Sequence, residues 1–227
     1  MRNVILAALL LSGLLIYKLQ AQTAMGDPNA TPIEFRWYHT LTPPDSGCGI
    51  NGAMNQWTGG VYKMKQYLPY NWKVTLDLLP LTYEYKFTTY TDTVGQAGVT
   101  AYFTDPLNSR AGGPFNNSYL TVHSPMVYYF LPKDGASTQD VRPLITANIS
   151  WANSAALDIT KLYFSLDGVT IANPSQYFNA ATRMFSYQPT SDLSYTPHTA
   201  LIKIATMSGD TTSLSTVFTV FIYNGQL

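Results

Sequence analysis

The 227 residues are 46% hydrophobic and only 11% charged, with a formal net charge of zero. Such a chain can bury real cores, which excludes disorder over most of its length. It has no basic excess to hold nucleic acid or an anionic membrane, and its 17 Tyr leave recognition to rings and hydroxyls.

The chain opens with Arg2, an apolar run from Val4 to Tyr17, and then Leu19-Gln20-Ala21-Gln22. This pattern predicts a secretory signal peptide over residues 1–21 and hence a secreted, periplasmic or cell-surface protein. At about 14 residues the run falls short of the ~20 that a spanning helix needs, which disfavours an uncleaved anchor.

After residue 30, short runs rich in Val, Ile, Thr, Tyr and Phe are divided by Gly, Pro, Asn and Asp, and helical spacing is almost absent. The predicted fold class is all-β. Strands are expected over 33–38, 61–67, 72–78, 83–90, 99–103 and 118–122. A second series is expected over 126–131, 144–151, 161–166, 185–187, 201–207 and 216–223. Pro125 and the restart of the pattern predict a boundary near His123-Ser124-Pro125, between domains at 30–123 and 126–224. Turn pairs such as Asp167-Gly168 suit antiparallel sandwiches.

Alternation assigns Trp72 to the core beside Val74, Leu76 and Leu78, and Trp151 to a second core after Ile145, Ala147 and Ile149. In the strand around residue 85 it puts Lys86 with Glu84 and Thr88, opposite Tyr83, Tyr85 and Phe87. Cys48, the single cysteine, is expected as a buried or loop thiol without a disulfide. His39, His123 and His198 are too scattered to predict a metal site, and no cofactor fingerprint is present. The two Glu, Glu34 and Glu84, offer no evident acid–base pair, so the chain is expected to be non-catalytic.

The ordered series Gly52-Ala53-Met54-Asn55-Gln56-Trp57, Met64, Trp72, Asp77-Leu78, Tyr83-Glu84-Tyr85-Lys86-Phe87, Asp105-Pro106 and Asn117-Ser118-Tyr119-Leu120 resembles family 48 carbohydrate-binding modules and glycogen-binding domains. The resemblance implies an immunoglobulin-like sandwich that holds α-1,4-glucan. It carries the sugar-stacking role to Trp57, hydrogen bonding of sugar hydroxyls to Lys86, and a further contact to Asn117. Tyr102 stands where the pattern has a second platform Trp, and 89–100 reads as an insertion.

The second domain is similar to bacterial immunoglobulin-like domains through Val141-Arg142-Pro143-Leu144-Ile145, Leu166-Asp167-Gly168, Tyr187-Gln188-Pro189, His198-Thr199 and Phe218-Thr219-Val220. Together the two resemblances imply consecutive immunoglobulin-like β-sandwiches, with α-glucan as ligand and a catalytic glycoside hydrolase domain as a candidate partner. A pair of structural or protein-docking sandwiches that bind no sugar is the competing reading. For Trp57 the alternative is a core position, for Lys86 a solvated strand lysine, and for Asn117 a turn residue.

Overall fold

A computed structural model describes residues 26–57, 62–93, 96–108 and 110–222, without side chains over 92–97. The expected signal peptide at 1–21 and the expected strand ends at Val61 and Tyr223 lie outside these residues. The chain is all-β, as its alternation requires, and among the described residues its only helical elements are short 3₁₀ turns. It divides into two units, one of residues 26–105 and 110–122, the other of 106–108 and 123–222.

The first unit packs two sheets. One has the order β1-β5-β4, formed by Thr31–Tyr38, Asn71–Leu78 and Lys65–Leu68. The other has the order β3-β2-β6-β9-β8, with β7 also paired to β6. Its strands are β2 Gly47–Gly52, β3 Tyr62–Lys63, β6 Thr82–Thr93, β7 Gln96–Phe103, β8 Ala111–Gly112 and β9 Asn117–Thr121. Inward residues of β1 meet inward residues of β6 across the sandwich. The Phe35 and Tyr85 ring centroids are 5.1 Å apart, edge to face, and Trp37 stacks on Phe87 at 5.1 Å. Such pairs add to the apolar burial that holds the sheets together. Trp72 is buried as its alternation predicts, and its Nε1–H donates to the His39 carbonyl at 3.1 Å. Tyr85 is fully buried, and its phenol donates to the buried Asp105 carboxylate at 2.6 Å.

Strand β2 is absent from the expected series, because Gly-Cys-Gly-Ile-Asn-Gly carries little β-propensity. Packing explains its glycines. A Cβ on Gly47 would lie 2.5 Å from the Tyr90 phenol oxygen, and one on Gly52 would strike the Glu84 carbonyl oxygen and stand 2.8 Å from Tyr85 Cα. Glycine at 52 lets the end of β2 lie this close against the β6 backbone, and glycine at 47 leaves room for the Tyr90 ring. Cys48 is buried in this strand, and burial, with a smaller push from Asp45, raises its thiol to about 12, so it stays a protonated packing group.

The insertion read at 89–100 is an extension of the β6–β7 hairpin, paired from Phe87↔Phe103 out to Thr93↔Gln96. The expected strand over 61–67 is two pieces, β3 and β4, lying in different sheets on either side of buried Met64.

The second unit also packs two sheets. The first is β10-β12-β16-β15, from Met126–Leu131, Ile145–Ser150, Met184–Tyr187 and Phe178–Asn179. The second is β11-β18-β17-β13-β14, from Ser137–Thr138, Thr211–Val220, Pro197–Ala205, Tyr163–Leu166 and Val169–Thr170. Between them lie Ile145, Ala147, Ile149, Phe164, Phe185, Ile202, Ile204 and Phe218. Strand β13 starts later than expected because Ile159–Lys161 form a 3₁₀ turn capped by Asp158, whose carboxylate accepts from Thr160 N–H. Strand β18 starts earlier, since its Thr- and Ser-rich first half pairs fully with β17.

Trp151 departs from the expectation of a core residue. It follows the end of β12 and is only half-buried at the core edge, with the Arg183 guanidinium 4.1 Å from its ring centroid. The alternation ends with the strand, so the indole closes the core from one side and takes a cation on the other.

Candidate functional site

The outward face of the β2–β6–β7–β9 sheet gathers the residues singled out from the sequence. Directly opposed residues of paired strands share a face, and residues two apart along a strand do as well. The pairs Asn51↔Lys86, Gly49↔Thr88, Thr88↔Tyr102 and Glu84↔Tyr119 therefore put Asn51, Glu84, Lys86, Thr88, Tyr102 and Tyr119 together. Asn117, two residues before Tyr119, lies on the same side.

Trp57 reaches this face through the 3₁₀ turn Ala53–Asn55 that ends β2. Gly52 N–H donates to Asn55 Oδ1 at 2.9 Å, and Trp57 N–H returns to the Gly52 carbonyl at 3.0 Å. Gln56 and Trp57 both adopt left-handed backbone, at φ 57° and 62°. For a residue as bulky as Trp this conformation is unfavourable, and it turns the indole out of the strand path. Trp57 is half-buried rather than enclosed in the core, and its ring lies 6.5 Å from that of Tyr102, tilted by 54°. Tyr102 is 48% exposed.

Asn51 ties the two aromatic residues together. Its Nδ2 donates to the Tyr102 phenol oxygen at 3.4 Å and lies 3.5 Å from the Trp57 carbonyl oxygen. The expected series did not include Asn51; the signal was its place in the glycine-rich run that was not recognised as a strand. Lys86, opposite Asn51, is partly exposed on this face, as its alternation predicts.

Asn117 is placed differently. It is 7% exposed, and its Nδ2 donates to Glu84 Oε2 at 2.9 Å. Glu84 also accepts from Tyr119, whose phenol is raised first by burial and then by that carboxylate. Asn117 therefore braces Glu84 at one end of the face, while Trp57, Tyr102, Asn51 and Lys86 occupy the other.

Thr88 follows Lys86 along β6, opposite Gly49 and Tyr102; it is fully buried, and its Oγ1 has no hydrogen-bond partner. The two glutamates sit on different sheets, Glu34 on β1 bound to Arg36 and Lys73, and Glu84 on β6. Among the described residues no group of three His, Cys, Asp or Glu is placed to hold a metal, and no helix is long and apolar enough to cross a membrane.

Aromatic rings beside a phenol and an ammonium present the chemistry of a sugar receptor: apolar faces for C–H surfaces, with a donor and an acceptor for hydroxyls. No protein-family model matches the chain, and no curated protein matches it. Solved structures similar to it include the fibronectin(III)-like modules of Clostridium thermocellum CbhA, at 14% identity and TM-score 0.30, covering 84% of this chain and 85% of that one. Dimeric latent PorU from Porphyromonas gingivalis is similar at 11% identity and TM-score 0.40, over 86% of this chain and 20% of that one. SGBP-B of Bacteroides ovatus, solved with a mixed-linkage heptasaccharide, is similar at 11% identity and TM-score 0.22, over 82% of this chain and 63% of that one. At such identities and scores these likenesses carry no function to this chain, and its all-β class stands on the strand pairing itself.

Proposed function

We propose that the first unit is a non-catalytic carbohydrate-binding module of a secreted protein, taking α-1,4-glucan on the face of Trp57, Tyr102 and Lys86, with buried Asn51 bracing the two rings from beneath. The observation that carries this reading is the meeting of Trp57 and Tyr102, 45 positions apart in sequence, on the same outward face as Lys86. The sequence resemblance to glycogen-binding domains supports Trp57 and Lys86, with Tyr102 in the place of that pattern's second platform Trp, and it named Asn117 where the structure brings Asn51. One small aromatic platform gives modest affinity, roughly mM to μM. A glycoside hydrolase domain is the natural partner for such a module, and the second unit would then act as its spacer.

The sequestered Asn117 amide favours a second reading, in which the face has lost sugar binding and docks protein. Native electrophoresis of the full chain in gels containing glycogen separates the two. The glucan reading expects retardation that Trp57→Ala and Tyr102→Ala abolish and that a cellulosic polymer does not reproduce. Absence of retardation would support docking instead.

A further inference from the structure

The opposite sheet of the first unit carries a second aromatic surface. Leu68, Asn71 and Tyr38 form one cross-strand row on the outward side of β4, β5 and β1. Tyr38 is 67% exposed and packs edge to face against exposed Tyr70, with centroids 6.2 Å apart. The next outward row along the strands is Lys65, Lys73 and Arg36. Exposed Tyr67, at the irregularity in β4, covers Lys73, whose Nζ is 5.1 Å from its ring centroid. Glu34 is the carboxylate set into this cluster, paired with Arg36 at 2.6 Å and with Lys73 at 3.1 Å. Two cations therefore share one carboxylate, and a third, Lys65, stands exposed at the sheet edge, so the cluster keeps an excess of positive charge.

We infer that this face binds an acidic polysaccharide, one built of uronic-acid sugars. Stacking on Tyr38 and Tyr70 requires the C–H face of a sugar, and the excess positive charge beside them requires an anion. Residues two apart along a strand are separated by about 7 Å. The cationic row is therefore the next outward row beside the aromatic one, where the carboxylate of a sugar lying on Tyr38 can be met by a long basic side chain. A neutral glucan would leave the charge that Glu34 does not balance, with Lys65 at the edge, uncompensated. The whole-chain charge of zero conceals this local excess.

The test is native electrophoresis of the full chain in gels containing polygalacturonate, at low and at high salt, with polyglutamate gels alongside. Retardation by polygalacturonate is expected at low salt and should vanish at high salt, where surface charge is screened. Tyr38→Ala and Lys65→Glu should each weaken it about fivefold or more, while Trp57→Ala leaves it unchanged, which separates this site from the glucan face. Both substituted side chains are exposed, and an unchanged circular dichroism spectrum would verify that the variants fold. No retardation at low salt would overturn the inference, as would retardation that persists in the Tyr38→Ala/Lys65→Glu double variant. Equal retardation by polyglutamate would overturn it too, assigning the face to acidic peptide.

Discussion

Thr88 shows how one atom can weigh on this fold. Its hydroxyl is fully buried and lacks a hydrogen-bond partner, which costs free energy that an apolar group of similar shape does not. Thr88→Val should therefore stabilise the first unit by about 1 kcal/mol, read as a higher urea midpoint with unchanged slope. A lower midpoint would mean that the hydroxyl finds a partner in solution. His198 illustrates the opposite case. It is 3% exposed, with Nδ1 2.7 Å from Asp167 Oδ2 and Nε2 2.7 Å from the Ser194 carbonyl oxygen. Only the protonated ring can donate to both. Burial pulls the His198 pKa down, but the Asp167 carboxylate and the Ser194 carbonyl together raise it. A group raised in the folded state stabilises fully below its unfolded pKa of about 6.5, and that stabilisation is lost as pH rises through the folded value. The thermal-midpoint gap between the native chain and Asp167→Asn should therefore be wider at pH 6 than at pH 8.5. An equal gap at both would show that the ring is not charged in the fold.

At the scale of strands, β1, β5 and β6 were legible because their inward residues alternate cleanly with polar ones; Ile33, Phe35, Trp37 and Tyr83, Tyr85, Phe87 are all buried. Strand β2 was not legible, since glycines report nothing until the strand they lie against is known. Gly52→Ala tests that explanation. Its new Cβ would meet the Glu84 carbonyl oxygen and Tyr85 Cα, backbone atoms that cannot swing aside. The expected cost is about 2 kcal/mol, measured by urea denaturation, with weaker glucan binding because the Gly52 carbonyl anchors Trp57 N–H. A neutral result would mean that β2 can draw back from β6. The segment read as an insertion takes the form of a β6–β7 extension, which was not legible as strand because cross-strand pairing from Thr93↔Gln96 inward is a property of two segments together.

For the molecule as a whole, alternation and turn residues sufficed for the all-β class. The site was legible only in part. Trp57, Tyr102 and Lys86 were found as individual residues, but their meeting depends on strand register, which periodicity in one segment cannot specify. Asn51 was missed with its strand, and the partnering of Asn117 with Glu84 joins residues 33 positions apart. Ligand binding to the folded state adds stability by mass action, about 2.7 kcal/mol at a hundredfold excess over Kd. Near-saturating maltoheptaose should accordingly slow hydrogen exchange in β2, β6 and β7 and leave β12, β16 and β17 unchanged. Protection confined to the second unit would place the ligand elsewhere.

On the reading proposed, Trp57 forms the glucan platform while the other three tryptophans are structural. The most direct measurement is a maltoheptaose titration of the ¹⁵N-labelled full chain, following the four indole N–H signals, with Trp57 assigned through Trp57→Phe. A saturable shift of the Trp57 signal is expected, with those of Trp37, Trp72 and Trp151 fixed. A fixed Trp57 signal, or a shift confined to Trp151, would contradict it.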